Sequence, residues 1–364
     1  MAKTGIVICG HGSRAKSAEE EFSLLAKGLR ARFTDVPVEY GFLEYSAPNI
    51  HMALDVLREK GVEEIHAVPG MLFAATHAKN DIPSVLTTYE EKHPGLTIKY
   101  GRELGLHPNM IAAFQSRVLE ALGRDHVHEG DLYDTMLVVV GRGTSDTLAN
   151  AEAARLTRIV TENLGFGWSD TVYSGVTYPS VGRGLEMALK LGFKKIVVAP
   201  YFLFSGRLID RIYNYVDRVA KTAPDVEFFK AHYLADQAHV IDTFVARIEE
   251  ARTGQMVDDR DLMASFKDRL AKGEVVPHHH HAEFRDPLDD ESAHSHAHDH
   301  SHDHHHHHHH HHHGHSHGTY KHIAHPHGPR TMIDEGVCCC FMSQFPEEVI
   351  EEERALRKQA GTAA

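Results

Sequence analysis

The chain has 364 residues, enough for two ordinary domains and a further segment, and 42% of them are hydrophobic. Its net charge of -13 is uneven: -9 lies in residues 253–364 and only -4 in residues 1–252. This balance excludes nucleic-acid binding by bulk charge, no apolar run nears the roughly 18 residues of a membrane span, and four cysteines make no secreted disulfide framework.

The elements follow in chain order. Residues 5–9 form a short apolar run, too short for the core of a signal peptide, so the expected location is the cytoplasm. The run stops at Gly10-His11-Gly12-Ser13-Arg14, and a helical pattern over 18–33 follows with Phe22, Leu25, Leu29 and Phe33 on one face. Residues 37–43 read as a second strand. Pro48 is expected to open a helix ended by Gly61, and 64–69 is a third strand. A loop over 70–83 leads into a helix ending near Glu91, before a fourth strand at 97–100 and a helix at 110–122. Strands alternating with amphipathic helices predict parallel βαβ units.

The pattern then repeats. At an offset of 131, Gly10 meets Gly141, Gly12 meets Gly143, Pro48 meets Pro179, Gly61 meets Gly192 and Pro69 meets Pro200. Shared periodicity alone would not keep glycines and prolines at one offset, so the reading is duplication. After one deletion Phe114 meets Phe244. The expected fold class is α/β, with two tandem homologous doubly wound parallel sheets. The expected domains are 1–126 and 127–254, followed by a low-complexity tail over 255–364. That tail shows weak helical signal at Leu262, Phe266 and Leu270. It then holds 24 of the 34 histidines between His278 and His327, including an unbroken run of ten from His304 to His313. The run lies inside the chain between degenerate flanks, which reads as native sequence rather than a tag. Such a tract binds divalent metals through many weak imidazole contacts and cannot bury a core.

Parallel sheets place binding groups at the carboxyl ends of their strands. His11, Glu44 and His77 meet that condition in the first copy. Two imidazoles and a carboxylate in one crevice suit a divalent first-row metal. Taken singly, each reads as ordinary polar surface, whereas His51 and His66 fit structural positions. The repeat decides between the readings: the counterparts of the three are Arg142, Gly175 and Leu208, so the second copy keeps the scaffold and loses every ligand. Backbone N–H groups of Gly12 and Ser13, with the Ser13 hydroxyl and Arg14, are expected to hold an anionic substrate, joined across the cleft by Arg142, Ser205 and Arg207. The glycine spacing matches neither the P-loop nor the dinucleotide fingerprint. Gly10 stands where a histidine phosphatase would carry arginine.

Gly10-His11-Gly12-Ser13-Arg14, Phe42-Leu43-Glu44, and the loop from Pro69 to Pro83 carrying His77 and Asp81-Ile82-Pro83 resemble the sirohydrochlorin cobaltochelatases. The resemblance covers roughly residues 4–250 and is closest to the long form, with two fused homologous domains and a histidine-rich stretch. It implies the class II chelatase fold and insertion of Co²⁺ into sirohydrochlorin in cobalamin synthesis. His11 and His77 would then be metal ligands and proton acceptors, either imidazole taking either job, and Glu44 a ligand or anchor. The implied partners are sirohydrochlorin and divalent metal ions, with no nucleic acid or membrane, in a monomer or homodimer. Some long members carry a C-terminal cysteine motif associated with an iron–sulfur cluster. Here Cys338, Cys339 and Cys340 are adjacent, three thiolates where a cluster uses four. They are read as candidate ligands of a cluster or soft-metal site, with an oxidation-sensitive tail as the plain alternative. Two other functions stay open: a sirohydrochlorin ferrochelatase, and a non-enzymatic histidine-rich metal store.

Overall fold

A computed structural model describes residues 3–254 and 262–273, with the isolated positions 275, 351 and 355. The histidine tract and Cys338–Cys340 lie outside the described residues. Strand β1 (Thr4–Gly10) is buried almost throughout, as its unbroken apolar run requires of a central parallel strand covered on both faces. It pairs in parallel with β2 (Val38–Phe42) on one side and β3 (Glu64–Pro69) on the other, and β4 (Thr97–Tyr100) completes the order β2-β1-β3-β4. The second sheet has the same order, β6-β5-β7-β8, from β5 (Thr135–Gly141), β6 (Trp168–Tyr173), β7 (Lys195–Pro200) and β8 (Glu227–Lys230).

Side-chain alternation assigns the two faces of each sheet to different cores. Ile6 and Ile8 of β1, with Leu137 and Val139 of β5, point into one central core shared by both halves. Helices α1 (Lys16–Arg32), α4 (Pro108–Ala121), α5 (Thr147–Leu164) and α8 (Ala238–Thr253) fill it. Phe114 of α4 and Phe244 of α8, the pair matched by the repeat, are both fully buried there where the two helices pack. Each such burial contributes roughly 1.5–3 kcal/mol. Val7 and Cys9 point the other way, under α2 (Ile50–Glu59) and α3 (Ile82–Lys92). Val138 and Val140 do the same under α6 (Val181–Lys190) and α7 (Arg207–Thr222).

Three local expectations change. Pro48 does not open α2: Asn49 is the N-cap, its side chain accepting from the Met52 N–H at 2.8 Å, and the proline stands one residue before it. The 70–83 loop is partly helical, with a π-helical turn over His77–Asp81 running into α3. The charged segment after Gly254 contains helix α9 (Leu262–Ala271), and Leu262 and Phe266 are buried, Leu262 in the outer core of the first sheet. So the tail begins with a piece folded onto the first half. No helix among the described residues is long and apolar enough to cross a membrane.

Candidate active site

In the order β2-β1-β3-β4 the chain leaves β1 and β3 toward opposite faces, so a crevice opens between their carboxyl ends. His11 follows β1 and His77 begins the π-turn beyond β3. The topology brings them together, with ring centroids 4.5 Å apart and planes at 89°. Both line a cavity of about 400 Å³ that the second half completes. Glu44 follows β2, on the far side of β1 from β3. Its backbone is held to the histidine turn, the Glu44 N–H donating to the His11 carbonyl at 3.0 Å. Its side chain does not line the cavity; the neighbouring Tyr45 does. Among the described residues no group of three His, Cys, Asp or Glu side chains stands close enough to hold a metal ion. The structure therefore shows a pair of imidazoles on the cavity wall, with the Glu44 carboxylate against Tyr45, rather than a three-ligand cluster.

The hydrogen-bond network assigns both tautomers. His77 Nδ1 is 2.5 Å from Asp81 Oδ2, and Asp81 is fully buried. A buried carboxylate accepts, so Nδ1 carries the proton and Nε2 keeps its lone pair. The spacing of four residues on one helical turn makes that contact possible. His11 Nδ1 lies 3.1 Å from the Gly12 carbonyl, which gives the same tautomer. Asp81 was visible in the sequence only as part of the Asp81-Ile82-Pro83 string. Its position four residues after a candidate ligand on a helical turn is the signal that identifies it.

Gly12 fixes the turn. Its φ is +93°, and a Cβ there would stand 1.7 Å from the Glu44 carbonyl oxygen. Gly143 repeats the arrangement at φ +81°, with the Gly175 carbonyl oxygen 1.9 Å from a Cβ position. Tyr45 and Val176 also share positive φ values, 62° and 65°. The duplication thus reaches into the site's own loops, while His11 and Glu44 are matched by Arg142 and Gly175. Gly12→Ala must push the Glu44 strand end away from His11. Its expected effect is loss of most activity with a lowered Tm, read by a steady-state assay and a thermal melt.

Ser13 departs from expectation. Its N–H donates to Ser46 Oγ at 2.9 Å, and its own Oγ accepts from the Ala15 N–H at 3.1 Å. The backbone donor is therefore already used inside the loop, and the serine shapes the start of α1. Arg14 lies over the Tyr45 ring, 4.8 Å from its centroid, at the cavity edge. Burial pushes the Tyr45 phenol pKa up, and the adjacent Glu44 carboxylate adds to the shift. Across the cleft Arg142, Ser205 and Arg207 line the same cavity, as the repeat suggested. The Ser205 loop is held to the first half by Glu21, which accepts from the Ser205 N–H at 2.7 Å and from the Tyr233 hydroxyl at 2.5 Å. Lys79, inside the π-turn, donates to Asp146, the N-cap of α5, and ties the His77 turn to the second half. Sequence reading missed both struts, because each joins residues far apart in the chain. Between the polar groups the wall is apolar, with Phe22, Phe42, Leu72, Phe73, Leu203 and Phe204. Such a lining suits a ligand with an apolar body and anionic edges. Cys9 lies fully buried, and burial pushes its thiol pKa up, which keeps it protonated in the core.

Comparison with known proteins agrees with this fold. The sequence model of the CbiX family matches twice, over residues 5–121 and 136–251. A sirohydrochlorin cobaltochelatase of Priestia megaterium is 34% identical over 275 residues, covering 75% of this chain and 87% of the relative. A sirohydrochlorin ferrochelatase of the same organism is 27% identical, covering 69% of this chain and 92% of the relative. The structure is similar to that of SirB from Bacillus subtilis with Fe³⁺, at 26% identity and a TM-score of 0.60, over 70% of this chain and 98% of that one.

Proposed function

The chain belongs to the CbiX family, and from that premise we propose that it inserts Co²⁺ into sirohydrochlorin, as a step toward cobalamin. It is a metal chelatase. The observation that carries the reading is the pair of imidazoles, both with Nδ1 turned to an oxygen acceptor, on the wall of a largely apolar cleft lined also by Arg14, Arg142 and Arg207. Insertion exchanges two pyrrole N–H protons for one divalent metal ion. Neutral imidazole serves both sides of that exchange, because it ligates first-row metals and its pKa lies near working pH. We assign His11 and His77 to holding the metal ion and receiving the protons. Glu44, bonded through its backbone to His11 and set against Tyr45, adds negative charge at the edge of the site that favours a divalent cation. The arginines and the Ser13 hydroxyl are assigned to the substrate's carboxylates, and the aromatic wall to its ring. One chain supplies both walls of the cleft, so a monomer is competent in this scheme. The division into 1–126, 127–254 and a tail is kept as a proposal, amended by α9. The histidine tract is assigned to metal storage or delivery.

The ferrochelatase relative favours a second reading, sirohydrochlorin with Fe²⁺. Imidazole pairs do not separate the two metals, because site affinity follows the metal series. The deciding experiment supplies purified protein with sirohydrochlorin and Co²⁺, Fe²⁺ or Ni²⁺ in turn and follows the loss of the free-base absorption. Cobalt is expected to give the highest kcat/KM. Preference for iron moves the chain to the second reading, and no insertion of any metal removes both.

A further inference from the structure

The π-turn that carries His77 has a bonding problem that the fold solves from outside. Pro83 has no N–H, so it cannot donate to the carbonyl four residues back, Lys79, or five back, Ala78. The π register sends the Ile82 N–H to the His77 carbonyl, so that donor is not used on Ala78 in α-helical fashion. Both carbonyls receive side-chain donors instead. The Tyr100 hydroxyl, buried at the end of β4, donates to the Ala78 carbonyl at 3.0 Å. Burial raises the Tyr100 pKa well above its usual value, so the hydroxyl keeps its proton. The Lys79 carbonyl accepts from Arg269 Nη2 at 2.8 Å.

Arg269 belongs to α9, beyond the second stretch matched by the family, which ends at residue 251. The helix is seated by Phe266 and Leu262, both buried, and by Met263, whose Sδ lies 3.9 Å from Thr87 Oγ1 of α3. In the second half, α7 starts as an ordinary α-helix at Arg207 after Gly206, and no π-turn precedes it. The external donor is thus supplied only to the copy that carries the imidazoles.

We propose that α9 is a positioning element for the active-site histidine, with Arg269 as its working residue. The guanidinium satisfies the carbonyl that lies between His77 and Asp81 in the chain. It thereby holds the π register that keeps those two side chains in hydrogen-bond contact. The start of the C-terminal extension becomes a working part of the chelatase site. This rests on the reading of His77 as a site residue.

The test uses the full chain with Arg269→Met, which keeps the stem and removes the donors, and Arg269→Lys, which keeps a donor. Lys267→Ala, on the exposed side of α9, is the control. Hydrogen exchange is followed for amides 76–86, together with kcat and KM for Co²⁺ insertion. Arg269→Met is expected to speed exchange in that segment alone and to lower kcat roughly tenfold with KM for sirohydrochlorin within twofold. Arg269→Lys should restore most of both, and Lys267→Ala should match wild type. Phe266→Ala, which unseats the helix by another route, should reproduce the local exchange. Unchanged exchange at 76–86 in Arg269→Met overturns the proposal. So does a rise spread evenly over the protein, or a loss of activity that lysine does not recover. The exchange readout needs no substrate, so a wild-type enzyme unable to insert cobalt would count against the proposed function and leave the positioning result standing.

Discussion

His11→Ala is expected to reduce kcat for Co²⁺ insertion by roughly 10²–10⁴-fold, the range for removing a positioned proton acceptor, with little change in Tm. The ring sits half-exposed on the cavity wall, so its removal leaves space that solvent fills. His77→Ala should lose activity to the same degree and stability as well. His77 is only 8% exposed and its partner Asp81 is fully buried. Deleting the imidazole takes a hydrogen-bond donor from a carboxylate buried away from water, which costs about 1–3 kcal/mol. The two variants together separate chemistry from folding: equal losses in kcat, unequal losses in Tm. Steady-state kinetics and thermal melts on the same preparations make the comparison. Full activity in either variant would remove that histidine from the site.

The fold was legible because its signals are redundant. The central strand β1 announces itself as an apolar run, and β1, β3 and the edge strand β4 fall within a residue of where the pattern puts them. The repeat made Gly12 and Gly143 informative as a pair, and both prove to be pressed against a carbonyl that leaves no room for a side chain. The convergence of His11 and His77 followed from a rule about strand ends. Glu44 meets the same rule, but strand order decides which ends are neighbours, and one sequence does not display strand order. What stayed hidden depends on single long-range contacts. The Lys79–Asp146 and Glu21–Ser205 bridges have no periodicity to betray them. Helix α9 sits in a charged stretch with only a few apolar residues, and its importance lies in one guanidinium meeting one carbonyl. Pro83 was the available clue: a proline early in a helix implies carbonyls upstream that need donors from elsewhere.

Asp81→Asn should lower kcat by about 10–100-fold, the usual effect of removing the carboxylate behind a ligating histidine, with KM for sirohydrochlorin within twofold. Asparagine has nearly the volume of aspartate, so the buried turn keeps its packing. The charge behind Nδ1 is gone, and with it the bias that keeps the proton on Nδ1 and the lone pair on Nε2. If the amide turns its NH₂ toward Nδ1, the ring must take the other tautomer, and Nε2 then carries a proton where a lone pair is needed. Either outcome weakens the same atom. Asp81 does not line the cavity, so substrate contacts and KM should be spared. A variant with raised KM and unchanged kcat would show that Asp81 serves the shape of the cleft and not the imidazole. The Asp81 effect should also depend on its histidine. In a His77→Ala background, Asp81→Asn is expected to cost nothing further in kcat and to recover part of the lost stability, because a buried neutral amide tolerates the loss of one donor better than a carboxylate does.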